Sequence, residues 1–296
     1  METRARLGLA LRLAVSAALV LWILRRTPFQ EVGAAFRSAD LRFVLLALAL
    51  QFLDTLVSVR RWRLLIRAQG GEAPFAGLVR AYFVGIFFNN LLPSTIGGDT
   101  VRVVHTVRSG VGRARALTVI FVDRFLGLLA LMLFAVLGAL ASGRLTARLP
   151  SLLAWVLGGA VVLGLLAALL FLRLNFQDKW DVLARAFGWS LLLQTSVVIG
   201  GWCLARALHA PIPLPYFFLI VPLALIVMML PVSINAIGVR ENVWAFFFAA
   251  FGATAALGIA VAWLSYGLVL LQALIGGAIY ASGRLPSSRL REGVAV

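Results

Sequence analysis

Arginines placed inside apolar sequence are the residues here that could do chemistry, and two of them stand at matching breaks. Arg102 follows Asn89-Asn90-Leu91-Leu92-Pro93-Ser94-Thr95-Ile96-Gly97-Gly98-Asp99, and Arg240 follows Pro231-Val232-Ser233-Ile234-Asn235-Ala236-Ile237-Gly238-Val239. A guanidinium stays charged and grips a phosphate through two parallel hydrogen bonds. An arginine at membrane depth costs about 3 kcal/mol on insertion scales, so it comes with a partner or a role. The phosphate of a membrane lipid headgroup is the anion that such a pair would hold.

The neighbours of both arginines have a binding reading and a plainer one. Pro93 with Gly97-Gly98, and Gly238, read as turns whose backbone N–H groups at helix starts attract anions; turn-making alone also accounts for them. Ser94, Thr95, Ser233 and Asn235 could bond a headgroup or cap the broken helices. Asp99 lies one turn before Arg102 and is a ready local partner; Glu241 stands beside Arg240 in the same capacity. Asp123 and Arg124 are adjacent early in an apolar run, and adjacent side chains point apart on a helix. Asp123 therefore balances a cavity arginine, carries a coupling proton, or forms a structural ion pair. Asp54 is similar and more isolated, and Glu241 is a second proton candidate. Asn89 and Asn90 would satisfy backbone groups freed by Pro93. Neither His105 nor His209 has a second His, Cys or carboxylate at ligand spacing, so no metal or other cofactor is expected. Cys203 is alone, which excludes an internal disulfide.

The elements that position these residues belong in a membrane. Of 296 residues, 62% are hydrophobic and 13% charged, the balance of a polytopic membrane protein. The net charge of +16 would suggest nucleic acid for a soluble chain. Here most arginines close apolar runs, where they set topology and meet anionic headgroups, so no nucleic-acid partner is expected. Six spans are expected: Leu7–Leu24, Leu41–Val59, Ala116–Ala141, Ser151–Leu172, Ala186–Leu204 and Ala253–Ser282. Arg25–Asp40 reads as an interfacial amphipathic segment. The cluster Arg60, Arg61, Arg63 and Arg67 reads as the basic end of the second span, and Arg173–Arg185, with Lys179, as a loop. Pro74–Leu92 with Asp99–Arg108, and Tyr216–Leu230 with Asn235–Phe251, hold segments too short or too broken to cross. They read as re-entrant hairpins.

The breaks repeat. Pro93 and Pro231 (231 − 93), and Arg102 and Arg240 (240 − 102), are each 138 positions apart, and Trp62 and Trp202 are 140 apart (202 − 62). Each half holds three crossings, an odd number, so the second half must start on the opposite side. The expected fold class is an all-α polytopic membrane protein. It has about six transmembrane helices plus two re-entrant helical hairpins in an inverted repeat, spanning residues 7–141 and 151–282. The arginine bias places both termini in the cytoplasm of a plasma (bacterial inner) membrane.

Leu92-Pro93-Ser94-Thr95-Ile96-Gly97-Gly98-Asp99 with Arg102, Arg61-Trp62-Arg63, Asp123-Arg124, Pro231-Val232-Ser233 and Gly238-Val239-Arg240-Glu241 together resemble a known family. The chain resembles the flippase-like membrane domain of lysylphosphatidylglycerol synthases, which also occurs as stand-alone proteins. The resemblance covers almost the whole chain, with Gly98-Asp99 where many members carry Gly-Glu. It implies movement of a lipid between leaflets: an aminoacylated phosphatidylglycerol, a hopanoid-linked lipid or a polyprenyl-phosphate-linked sugar. It implies no aminoacyl-transfer activity, since the chain ends soon after the sixth span.

Three functions follow. The first is a lipid translocase, not an enzyme, with the headgroup held by Arg102 and Arg240; without a P-loop pattern, direct use of ATP is not expected. The second is a membrane lipid-phosphate enzyme similar to prenyl-pyrophosphate phosphatases, which would need paired acids or a nucleophile beside an arginine. The third is a scaffold that partners a lipid-biosynthetic enzyme, its arginines purely structural.

Overall fold

The computed structural model of the protein describes residues 29–91, 96–142, 179–229 and 234–283. The expected spans Leu7–Leu24 and Ser151–Leu172 lie outside these residues, as do Pro93, Ser94, Thr95, Pro231 and Ser233. Among the described residues all regular structure is helical. The helices are α1 (Phe29–Arg37), α2 (Leu41–Ala68), α3 (Phe75–Leu91), α4 (Ile96–Arg108), α5 (Arg113–Ser142), α6 (Trp180–Ala207), α7 (Leu214–Met229), a 3-10 turn (Ile234–Ala236), α8 (Val239–Ala250) and α9 (Ala255–Ala281). Four of them, α2, α5, α6 and α9, are long and apolar enough to cross a membrane. The chain is therefore an integral membrane protein.

Helices α2 and α6 run antiparallel along their length. Asp40 N–H at the start of α2 bonds Ala207 O at the end of α6 at 2.9 Å, and Lys179 Nζ, which precedes α6, reaches Ala68 O at the end of α2 at 2.5 Å. Consequently α3 departs from one end of this pair and α7 from the other. Each departing helix leads into a short one that returns. Glu72 N–H, ahead of α3, bonds Ser109 O, just past α4, at 2.9 Å, so α3 and α4 begin and finish together. At the opposite end Tyr216 of α7 packs on Phe251, just past α8, with ring centroids 4.9 Å apart. With 17 and 16 residues, α3 and α7 fall short of the roughly 20 that a span requires.

The helices before the two breaks exchange partners. Helix α3 packs against α9, and α7 against α5. Both contacts close on a glycine. A Cβ on Gly138 would lie 2.6 Å from Phe218 O, and one on Gly276 would lie 2.0 Å from Phe83 O. These glycines are again 138 positions apart (276 − 138). Phe218 O is also the carbonyl whose i+4 partner is Pro222, which has no N–H to give it. Small residues at such crossings let helices meet where lipid offers no hydrophobic drive. Two apolar clusters result. One joins α6 to α9 around Phe217, Phe248 and Trp244; the other joins α2 to α5 around Trp62, Leu65 and Leu78.

Three boundaries differ from those read in the sequence. Helix α2 continues past Val59 to Ala68, because arginine is a good helix former whose stem packs on apolar surface. Helix α6 starts at Trp180, within the expected loop. Asp181 supplies an acid to its first turn and pairs with Arg185, one turn on, at 2.5 Å. Gly97 and Gly98 are not a turn but the first turn of α4. A Cβ on Gly98 would meet Gly85 O at 2.4 Å, so this glycine serves the α3–α4 crossing instead.

Candidate functional site

Four arginines and three acids of the sequence analysis divide between two cavities. The first half builds an ion network in which both carboxylates are paired, while Arg102 Nε stays buried without a hydrogen-bond partner among the described residues. Asp123 of α5, 2% exposed, accepts from two arginines: Arg61 Nε at 2.7 Å on one oxygen and Arg102 Nη2 at 2.6 Å on the other. Arg61 Nη1 also donates to Ser190 Oγ of α6 at 2.8 Å. The guanidinium of Arg102 lies over Trp62 and Tyr82, 4.9 and 5.3 Å from the ring centroids, which favours a cation. Asp99, the expected partner one turn back, is a weaker one at 3.7 Å. Asp99 instead takes a hydrogen bond from Arg124, so the adjacent Asp123 and Arg124 do point to different partners. Arg61, Tyr82, Asp99, Arg102, Asp123 and Arg124 line a cavity of about 420 Å³. Three arginines against two carboxylates leave it with one net positive charge.

The second half uses its residues differently. Asn235, Ala236 and Gly238 all have positive φ, at 54°, 55° and 84°. Asparagine tolerates this region and glycine is at home there, so this sequence turns sharply before α8. Glu241, 7% exposed, does not pair with Arg240; its Oε2 accepts the N–H of Gly238 at 2.8 Å and so caps its own helix. Arg240, 8% exposed, gives one hydrogen bond to Asn235 O at 3.1 Å and lies over Tyr266, 4.1 Å from the ring centroid. Its Nη1 is buried with no hydrogen-bond partner, and among the described residues no carboxylate pairs with it. Arg240, Asn235 and Tyr266 line a cavity of about 450 Å³ that also receives Asp54.

The glycine N–H groups expected to face an anion are in part already used. Asn89 Oδ1 accepts from Gly98 N–H at 2.7 Å, and Glu241 holds that of Gly238. Asn90 bonds Ile86 O at 2.9 Å, so the two asparagines bond backbone groups within α3 and at the start of α4 rather than the carbonyl that Pro93 leaves free. Arg61 was legible only as one of a basic cluster. Its signal was the polar stripe Asp54, Ser58 and Arg61 at i, i+4 and i+7 on α2, one helical face.

The cavities lie one beyond the other along the α2–α6 pair. The Arg240 cavity touches α2 at Ala47, Gln51 and Asp54 and α6 at Val197–Leu204; the Arg102 cavity touches α2 at Ser58 and Arg61 and α6 at Leu193 and Gln194. Ile86 and Asn89 of α3 with Leu225 and Met228 of α7 line both. Helices α3 and α7 thus supply a common partition, one residue layer between the two arginine-containing cavities.

Comparison with known proteins bears on this arrangement. The sequence profile of the lysylphosphatidylglycerol synthase TM region matches residues 9–179 and 175–276. The UPF0104 membrane protein PH1989 of Pyrococcus horikoshii is 24% identical over 180 residues, 60% of this chain and 53% of that protein's length. The match thus spans about half the length of the curated relative. With four apolar spans, two broken helices and a profile match over most of its length, the chain belongs to the lysylphosphatidylglycerol synthase TM region family.

Proposed function

We propose that this protein is a lipid translocase that passes an anionic headgroup between leaflets, with Arg240 as the residue that binds it. One observation carries the reading: Arg240 is buried in a cavity and, among the described residues, has an unpartnered nitrogen and no paired carboxylate. A buried cation left in that state is a site for an anion that arrives from outside. A lipid phosphodiester has the charge and the acceptor pair that a guanidinium recognises. Arg102, already joined to Asp123, gives the neighbouring chamber its net charge and receives the headgroup after it crosses the partition.

The halves are read as an inverted repeat, with α3–α4 and α7–α8 as re-entrant hairpins entering from opposite faces. The antiparallel α2–α6 pair, the exchanged contacts at Gly138 and Gly276 and the offset of 138 support that reading. Alternating access then consists of one half rocking on the other. No bond is made or broken in this scheme, and no cofactor is assigned. The cytoplasmic placement of both termini rests on the arginine bias alone.

Proteoliposomes test it. Labelled phosphatidylglycerol and a labelled polyprenyl phosphate are scored for protection from an impermeant quencher. Wild-type protein should move one of the two classes, and Arg240→Gln should lose at least tenfold in rate while remaining folded. Equal rates for wild type and Arg240→Gln would overturn the assignment of the site. Phosphate release from a prenyl pyrophosphate would replace the translocase with the enzyme reading, and movement of neither lipid would favour the scaffold.

A further inference from the structure

Asp54 is the carboxylate that the ion network leaves out. It lies on α2 with Oδ1 buried and, among the described residues, without a full hydrogen-bond partner. The polar residues beside it are spoken for: Gln51 Nε2 bonds Gln272 Oε1 at 3.0 Å, and Gln272 Nε2 bonds Gln51 O at 3.1 Å and Thr55 Oγ1 at 3.3 Å. The Ser196 hydroxyl on α6 faces Asp54 as its one weak donor, outside full hydrogen-bond geometry. A buried carboxylate oxygen held only so weakly is costly when charged and much less so when protonated.

The cavity shared with Arg240 gives this carboxyl a consequence. Among the described residues lining it, Asp54 and Arg240 are the charged ones, and Tyr266 of α9 is the other that could titrate. The elements packed on α2 add no further charge there. Helix α6 brings Ser196, and its ionisable Asp181, Arg185, Cys203 and Arg206 do not line the cavity; α3 brings Asn89 and Asn90; Asp123 and Arg124 of α5 line the other chamber. With Asp54 ionised the chamber is neutral. With Asp54 protonated it carries the single positive charge of Arg240, the complement of one phosphodiester.

We propose that Asp54 is a proton-binding site whose state sets the charge of the Arg240 cavity, so that a proton and a singly charged anionic headgroup bind there together. This rests on Arg240 as the headgroup site. Linkage makes the effect reciprocal: the proton tightens the anion and the anion tightens the proton. The direction follows from the charges. Affinity is greatest at low pH, where Asp54 is neutral, and falls as pH rises through its titration, by up to about tenfold per unit for one linked proton.

The test uses the purified full chain in an uncharged detergent, with dioctanoyl phosphatidylglycerol as the probe, since its phosphodiester keeps one charge throughout. Binding is measured by calorimetry from pH 5.5 to 8.5. The wild type should lose at least tenfold in affinity across that range, and Asp54→Asn should bind with its low-pH affinity at both ends, within twofold. Arg240→Gln should bind at neither. In weakly buffered solution the wild type should take up protons when the probe is added, a readout independent of how the Asp54→Asn variant folds. If binding needs Arg240 but is flat with pH, keeps its slope in Asp54→Asn, or takes up no proton, the Asp54 inference fails and the Arg240 site stands. Binding that survives Arg240→Gln overturns both.

Discussion

Asp123 and Arg240 illustrate two fates of a buried charge. Asp123 satisfies Arg61 and Arg102 at once, so removing its charge strands two guanidiniums away from water. Breaking a buried pair from one side costs about 3–5 kcal/mol. Asp123→Asn should therefore lower the thermal unfolding midpoint sharply in detergent, whatever it does to transport. Arg240 has one hydrogen bond to a backbone oxygen and an aromatic face beneath it. Its loss should cost about 1 kcal/mol of stability, the net value of one hydrogen bond, while it abolishes headgroup binding. Equal destabilisation by both substitutions would make Arg240 structural. The sequence made these two arginines look equivalent, since both follow a break at one offset. Their difference depends on where Glu241 and Asp123 point, and spacing along a chain does not carry that information across helices.

At the scale of the element, the places of the long helices α2, α5, α6 and α9 and of the shorter α3 and α7 were legible because hydrocarbon demands unbroken apolar helix. The second span was read too short because Arg60 to Arg67 looked like a terminus. Only the tertiary position of Ser190 and Asp123 shows that one arginine of the four turns inward. Glycines were misread for a related reason. Gly98 is a crossing residue on α4 rather than a turn, and Gly138 and Gly276 carry no local signature, as helical glycines in apolar sequence. Gly276→Ala places a methyl against the Phe83 carbonyl and should destabilise by about 1–3 kcal/mol, seen as a lower unfolding midpoint. A Cβ on Gly188 meets nothing within 4 Å. Gly188→Ala should raise the midpoint through helix propensity alone, by up to about 1 kcal/mol.

For the whole molecule, the antiparallel α2–α6 pair fixes a testable topology. The segment after α2 and the segment after α6 emerge at opposite ends of it. In a Cys203→Ala background, Glu72→Cys and His209→Cys both place an exposed thiol. An impermeant maleimide applied to intact cells should label His209→Cys, and Glu72→Cys should react only after permeabilisation. Labelling of both from one side would contradict the inverted repeat. The offset of 138 was legible in the sequence; the contacts of α3 with α9 and of α7 with α5 were not, because they require knowing which helices meet.

The partition of Ile86, Asn89, Leu225 and Met228 has an electrical consequence. If the two cavities admit water from opposite faces, as the proposed translocation requires, the membrane potential falls across the layer between them rather than across about 30 Å of hydrocarbon. One elementary charge taken through that layer is worth about 2.3 kcal/mol for each 100 mV. A bare anionic headgroup would feel all of it, so its flux would be rectified by the resting potential. A headgroup that crosses with the proton of Asp54 is electroneutral, and its flux would respond to the pH gradient while ignoring the voltage.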